Sequence, residues 1–396
     1  MLTSLAMIFL LGLLLGSIFH KLKLPSLLGM LITGMILSPF ALNLLDDKIL
    51  LVSADLRQLA LVVILTRAGL SLDMEDLKKV GRPAILMCFV PACFEILGIV
   101  LIAPRLLNMT ILEAAIMGAV VAAVSPAVIV PRMLRLMEEG YGTKNGIPGL
   151  ILAGASVDDV FVIVLFTAFT SLATGTKVSV QSFVQIPISI VVGLYIGIIA
   201  GLILSKFFKE IHMRDSAKVL IMLGVSFLLI ELEHRLSGII PMSGLLAIMS
   251  MAATLYKTYD ILAKRLSEKF NKLWVAAEVI LFVLVGATVD LQYAISAGLI
   301  AMVVIVGALM FRMVGVFFCL LKTKLSRKER IFCMLAYSPK ATVQAAIGAI
   351  PLAMGLACGD KVLTVAVLSI IFTAPLGALM IDKTYQKLLS IDKVQD

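Results

Sequence analysis

Apolar runs of roughly twenty residues recur along this chain from end to end, and each is long enough to cross about 30 Å of hydrocarbon. Hydrophobic residues make up 61% of the sequence and charged residues 15%, whereas about a quarter of the residues of a water-soluble domain are charged. The sequence therefore predicts an all-α integral membrane protein with about thirteen transmembrane helices. We expect no soluble nucleotide-binding or regulatory module within it.

The positions of the basic residues predict the topology. We predict spans at 2–20, 24–41, 52–71, 82–103, 110–133, 146–173, 182–206, 216–233, 237–256, 272–289, 292–321, 328–355 and 361–381. Most of the 34 lysines and arginines fall in alternate loops between these spans. Because basic loops stay in the cytoplasm, we expect a plasma-membrane protein with its N-terminus outside and its C-terminus in the cytoplasm. The net charge of +9 then reflects topology, and no nucleic-acid partner is expected.

Two predicted spans carry the same interruption. Span 5 contains Ser125-Pro126 and span 12 contains Ser338-Pro339, each well inside an apolar run. Proline removes a backbone donor and clashes with the preceding turn, so Pro126 and Pro339 are expected to break both helices. The two spans run in opposite directions through the membrane. Paired broken helices of opposite sense indicate an inverted repeat with an ion site at the membrane midplane.

Five ionisable residues lie well inside the predicted spans, namely Glu95, Asp158, Asp159, Arg312 and Lys340. Each costs on the order of 3 kcal/mol at the bilayer centre, so they are expected to face one another or a cavity. Three acids against two bases leave one negative charge uncompensated. A lone buried carboxylate is tolerated when it binds a proton or a cation, and these are the half-reactions of an exchanger. The alternative is a salt-bridged cluster that only fixes helix packing.

Further polar residues lie close to the two breaks. Lys340 directly follows Pro339 and is expected to neutralise the carbonyl ends of the broken helices, which carry partial negative charge. Ser125, Thr342 and Gln344 offer oxygen atoms near the crossing, and hard cations prefer oxygen ligands. These side chains could instead cap freed backbone groups. The five cysteines lack metal-ligand spacing, so no cofactor and no resident metal are expected.

Two longer motifs surround these residues. Residues 153–159 read Ala-Gly-Ala-Ser-Val-Asp-Asp, and residues 338–346 read Ser-Pro-Lys-Ala-Thr-Val-Gln-Ala-Ala. With these motifs, the chain resembles along essentially its whole length the sodium/hydrogen exchangers of the second cation:proton antiporter family, most closely their NHA-type branch. The resemblance implies an inverted-repeat antiporter fold, in which two broken helices cross, and a homodimer.

The resemblance also implies how the chain is divided. Core repeat one would occupy residues 76–178, and core repeat two, with a short cytoplasmic tail, residues 291–396. Helix 7 would be the linker, within residues 179–212. Panel helices 1–3 and 8–10, within residues 1–75 and 213–290, would form the dimer contact.

Site roles follow from the resemblance. In this family the second aspartate of the pair, here Asp159, is the main carrier of ion and proton, and the first, Asp158, faces a base, here Arg312. Glu95 is similar to the acid that pairs with this arginine in the NHA-type branch. If Glu95 holds Arg312, Asp158 is expected to be free of it. Arginine does not deprotonate in proteins, so Arg312 cannot carry a proton, and both electroneutral and electrogenic exchange remain open.

The remaining site residues are neutral. Ser125 stands on the first crossing helix where many exchangers of the family have Thr-Asp. Ser156, Thr342 and Gln344 are expected, with Ser125, to be ion ligands or to line the cavity. Sodium or lithium would bind transiently, chiefly at Asp159 together with Asp158.

The predicted function is therefore exchange of Na⁺ or Li⁺ for H⁺ across the lipid bilayer, and the protein is not expected to be an enzyme. One alternative is a K⁺/H⁺ antiporter. A second is a sodium-coupled symporter of an organic anion on a related fold, against which the bulky neighbours Val128, Ile129 and Val343 argue. A third is a receptor or channel that does not transport by exchange.

Overall fold

The computed structural model describes residues 1–70, 81–174, 180–236, 242–289 and 291–391. Within these ranges the chain is helical, and its one β-type contact is an isolated bridge between Tyr141 and Ile391. The helices are α1 Leu2–Lys21, α2 Ser26–Leu37, α3 Asp47–Leu51, α4 Ser53–Leu70, α5 Arg82–Met87, α6 Val90–Leu107, α7 Ile111–Val121, α8 Pro126–Glu138, α9 Ile147–Thr174, α10 Val180–Glu210, α11 Asp215–Leu236, α12 Gly244–Thr258, α13 Asp260–Ala287, α14 Leu291–Cys319, α15 Arg327–Ala336, α16 Thr342–Ile347, α17 Ile350–Ala353 and α18 Gly359–Leu388.

The all-α membrane fold predicted from the sequence is confirmed. Within the described ranges, eight helical segments are long and apolar enough to cross a membrane, and two shorter apolar helices lie among them. The count of thirteen spans stays a prediction. The last helix, α18, continues to Leu388, several residues beyond the predicted end at residue 381, and Tyr385 in its final turns packs against Tyr141 in the loop after α8.

Both predicted helix breaks are present, and the two broken helices are built alike. The first consists of α7 and α8, which are separated by residues 122–125, and the second of α15 and α16, which are separated by residues 337–341. Each begins with a capping box, Thr110 with Glu113 before α7 and Ser326 with Glu329 before α15. A capping box satisfies the free N–H groups of a first helical turn.

A further interruption was not predicted. Span 4 was expected to be one helix, but α5 ends at Met87 and α6 begins at Val90. The reason is Pro91, which has no N–H to donate to the carbonyl of Met87. In the same way, Pro351 opens a short helix, α17, after α16.

The chain forms two compact units. Unit 1 comprises Met1–Leu51, Met74–Phe166 and Phe282–Asp396, and unit 2 comprises Val52–Asp73 and Thr167–Leu281. Unit 1 contains both broken helices and all five ionisable residues that were predicted to lie inside the spans. In unit 2, α12 packs along α4 and α10. The finer division into core repeats, linker and dimer panel stays a prediction.

Candidate functional site

Arg312 is the centre of the site. It lies on α14, its side chain is 1% exposed, and all three of its nitrogens donate hydrogen bonds. Nη1 contacts Glu95 Oε2 at 2.8 Å, and Nη2 contacts Asp158 Oδ2 at 2.7 Å. Nε donates to the carbonyl of Tyr337 at 2.7 Å, and Nη1 also donates to the carbonyl of Ala122. One guanidinium therefore holds two carboxylates and the carbonyl ends of both broken helices.

Close packing of α6 on α14 brings Glu95 to Arg312. A Cβ atom on Gly98, one turn after Glu95, would lie 2.8 Å from the ring of Phe311. A Cβ on Gly315, one turn after Arg312, would lie 2.9 Å from the backbone of Pro91. The two glycines let the helix backbones approach, which the side chain of any other residue would prevent.

Lys340 is buried beside the same acid. Its Nζ lies 2.5 Å from Glu95 Oε2, and both side chains are fully buried. Its backbone N–H donates to Thr373 Oγ1 on α18 at 2.9 Å. The Lys340 side chain was expected to neutralise the carbonyl ends, but in the described structure no helix carbonyl accepts a hydrogen bond from its ammonium group. Glu95 binds its ammonium group, and a carboxylate carries a full charge where a helix end carries about half of one.

Side chains other than Lys340 bind the carbonyl end of α7. Gln344 Nε2 donates to the carbonyls of Val121 and Ala123 at 3.0 and 2.9 Å. Together with Arg312 on the carbonyl of Ala122, this gives a partner to three successive carbonyls. Buried backbone groups without partners are costly inside a membrane protein, so Gln344 stabilises the first break.

Two freed N–H groups of the first break also have partners. Val124 N donates to Asp158 Oδ2 at 2.9 Å. Ser125 N donates to the carbonyl of Pro339 at 2.8 Å, a bond that joins the two breaks directly. Asp158 therefore supports the backbone of the first break as well as pairing with Arg312.

The expectation that Glu95 would free Asp158 from Arg312 was wrong. Arg312 contacts both carboxylates at once, because a guanidinium offers five N–H donors in a planar fork. One oxygen of Asp158, Oδ2, accepts from both Arg312 and Val124, whereas its other oxygen, Oδ1, is buried without a hydrogen bond in the described part of the chain.

Asp159 differs from its neighbour. Adjacent helical residues point about 100° apart, and in residues 81–174 and the other described ranges no basic group contacts Asp159. Its Oδ1 is buried without a hydrogen bond, while the side chain as a whole is half-buried. Of the three acids brought together here, Asp159 alone lacks a basic partner among the described residues.

Several neutral oxygens close to the crossing are buried without a donor among the residues that the structure describes. They are Ser125 Oγ, Thr342 Oγ1 and Gln344 Oε1. Both amide hydrogens of Gln344 are used by carbonyl groups, so its oxygen cannot exchange places with its nitrogen. Neutral and anionic oxygens without donors are the ligand type that a hard monovalent cation prefers. The side chain of Ser156, predicted to join them, lies outside the described part of the structure.

Two contributing residues were not singled out from the sequence. Tyr337 binds Arg312 and directly precedes Ser338-Pro339, so its position next to the break was an available signal. Thr373 lies on another helix, and no feature of the sequence marks it. Among the described residues no cluster of three His, Cys, Asp or Glu side chains could hold a metal ion.

Comparison with known proteins gives one consistent result. A family model described as "Sodium/hydrogen exchanger, transmembrane" matches residues 6–386. Sodium/hydrogen exchanger 9B2 of Homo sapiens is 32% identical over 383 residues, which cover 92% of this chain and 70% of that protein. Sodium/hydrogen exchanger 9B1 of Homo sapiens is 30% identical, with coverage of 93% and 73%. The solved structure of the sodium proton antiporter MjNhaP1 from Methanocaldococcus jannaschii has a TM-score of 0.86 at 22% identity and covers 98% of both chains.

Proposed function

The chain belongs to the sodium/hydrogen exchanger family, and from this premise we propose that it exchanges Na⁺ or Li⁺ for H⁺ by alternating access. The family consists of multi-pass membrane transporters, so no chemical reaction is catalysed. In the proposed cycle, cation and proton compete for Asp159. Only a loaded site crosses the membrane at low cost, because an ionised carboxylate in a low-dielectric interior is expensive.

The observation that carries this proposal is the difference between the two adjacent aspartates. Asp158 pairs with Arg312 at 2.7 Å, whereas Asp159 has no basic partner among the described residues. Asp159 can therefore gain a proton or a metal ion without breaking an ion pair. Asp158 Oδ1, Ser125 Oγ and Thr342 Oγ1, all buried without donors in the same part of the chain, would complete the cation's oxygen ligands.

The paired charges have a different role in the proposed cycle. Glu95 binds Arg312 and Lys340 through one oxygen, and these groups keep their charge while Asp159 exchanges its ligand. They also hold both broken helices at the crossing. We infer that this network is the fixed part of the site and that Asp159 is the exchanging part.

The setting of the proposed activity follows from the sequence. The distribution of basic loops supports an orientation with the N-terminus outside and the C-terminus in the cytoplasm, and we propose that the membrane is the plasma membrane. The family resemblance supports a homodimer in the lipid bilayer. K⁺ in place of Na⁺ is an outcome that the following experiment distinguishes.

The test uses purified protein in liposomes with an imposed pH gradient and a pH-sensitive dye. Adding Na⁺ or Li⁺ should collapse the gradient, and Asp159→Asn should abolish the response because an amide neither binds a proton nor carries charge. Asp260→Asn, at an exposed ion pair with Lys264, is the matched control and should behave as wild type. A response to K⁺ alone would show that K⁺ is the exchanged cation. Uptake of an organic anion without proton movement would overturn the exchange mechanism.

A further inference from the structure

Tyr337 occupies a central position that the proposed cycle does not yet use. It is fully buried and directly follows α15, as the first residue of the second break. Its backbone carbonyl accepts from Arg312 Nε at 2.7 Å, and the guanidinium carbon of Arg312 lies 4.9 Å from the centre of its ring. A cation over an aromatic face is attracted by the ring's quadrupole, and more strongly when both groups are desolvated.

The hydroxyl of Tyr337 reaches the unpredicted helix interruption. It donates to the carbonyl of Met87, the last residue of α5, at 3.0 Å. In an unbroken helix the N–H of residue 91 would use that carbonyl, but Pro91 has none. The phenol therefore takes the place of the missing donor, 250 residues away along the chain.

The space for this hydroxyl is provided by α9. A Cβ atom on Gly154 would lie 2.6 Å from the Tyr337 oxygen and 2.8 Å from Met87 Cβ. Gly154 lies one turn before Asp158 on the same helix. The side chain of Tyr337 thus lies against three parts of the site. They are the end of α5, the helix α9 that carries the aspartate pair, and Arg312 on α14.

We propose that Tyr337 is a positioning residue that fixes the Arg312 guanidinium in the one orientation from which it binds Asp158 and Glu95 together. The hydroxyl anchors the ring to the α5 end, and the ring and the carbonyl in turn hold the guanidinium. Because Asp158 also binds the backbone of the first break, a loosened Arg312 leaves the oxygens around Asp159 less ordered for a cation. This inference rests on the proposed function.

The experiment compares Tyr337→Phe, which removes only the hydroxyl, with Tyr337→Leu, which also removes the ring. The concentration of Na⁺ that gives half the maximal proton flux should rise about fivefold in the first variant, as expected for one lost hydrogen bond of about 1 kcal/mol. It should rise further in the second. Gly154→Ala, which crowds the hydroxyl, should also raise the concentration of Na⁺ that gives half the maximal flux. Tyr195→Phe, at an exposed position on α10, is the matched control.

A parallel titration keeps the two proposals separate. The concentration of Na⁺ that gives half the maximal thermal stabilisation of the detergent-purified protein reports binding without transport. In each variant it should rise together with the concentration of Na⁺ that gives half the maximal flux. If wild type shows no proton flux driven by Na⁺, Li⁺ or K⁺, the exchange proposal fails, while the titration still decides the role of Tyr337. The positioning role is overturned if Tyr337→Phe lowers only the maximal rate or the melting temperature and leaves both half-saturating concentrations at the wild-type value.

Discussion

At the scale of single residues, the site depends on one acid that serves two bases. Glu95 Oε2 accepts from Arg312 and from Lys340, and its other oxygen has no hydrogen bond in the described ranges. The two positive groups beside this oxygen repel each other, and the negative charge of the Glu95 carboxylate offsets that repulsion. Glu95 is therefore expected to contribute more to the stability of the site than any other acid in it.

Glu95→Gln should strongly destabilise the protein. The neutral amide would leave Lys340 buried beside Arg312 without a counter-charge, and breaking a buried ion pair from one side costs about 3–5 kcal/mol. The measurement is the melting temperature in detergent, which should fall clearly below that of wild type. Removing the second charge in Glu95→Gln/Lys340→Gln should restore part of the loss. Glu268→Gln, exposed on α13, is the control, and an unchanged melting temperature in Glu95→Gln would contradict the argument.

Sequence reasoning identified these charged residues but not all of their partners. A charge inside an apolar run is visible in the sequence because its cost in lipid is known. Its partner depends on packing between distant segments, such as Glu95 and Arg312, which are 217 residues apart. Lys340 illustrates the difference: its burial near the crossing was predicted, whereas its bond to Glu95 instead of to helix carbonyls was not.

At the scale of helices, the two helix breaks of the crossing were predicted from prolines near the middle of apolar spans. Pro126 and Pro339 lie within long apolar runs and break both helices as expected. Pro91, the tenth of the 22 residues of its predicted span, also breaks a helix, but it was not singled out from the sequence. The position of a proline in the sequence does not reveal whether another side chain, here Tyr337, will bind the carbonyl that it frees.

The second break is held by α18, and a glycine of that helix makes the approach possible. A Cβ atom on Gly377 would overlap the ring of Pro339, and Thr373, one turn earlier, accepts the N–H of Lys340. Gly377→Ala should therefore displace the break and lower stability by about 1–3 kcal/mol, the usual cost of overpacking. It should also reduce cation-driven proton flux.

The matched control for this variant lies in the same unit. Gly298 is helical, and a Cβ atom placed on it meets no atom within 4 Å. Gly298→Ala should be neutral or slightly stabilising, because alanine favours a helix over glycine by about 0.5–1 kcal/mol. Melting temperature and flux are measured for both variants. If Gly377→Ala matches Gly298→Ala in both, the close approach of Pro339 to α18 has no role in the site.

At the scale of the whole molecule, the site's charges determine how much charge moves in each cycle. The acids Glu95 and Asp158 are both bound to Arg312, and Glu95 also to Lys340. Asp159 is then the one acid of this cluster that can change occupancy without losing a partner in the described structure. Replacing one bound proton by one monovalent cation leaves the charge of the site the same.

We therefore expect wild-type exchange to be electroneutral, with one cation moving against one proton. Current recordings on a solid-supported membrane should show no sustained current after a Na⁺ jump, while a pH dye reports flux under the same conditions. Arg312→Lys offers the contrast, because a buried lysine can lose its proton where arginine cannot. A lysine also cannot hold both carboxylates in a planar fork, so Asp158 becomes a second exchangeable acid. That variant should produce a Na⁺-dependent current, and a sustained current in wild type would show that a second group of the network changes its charge during the cycle.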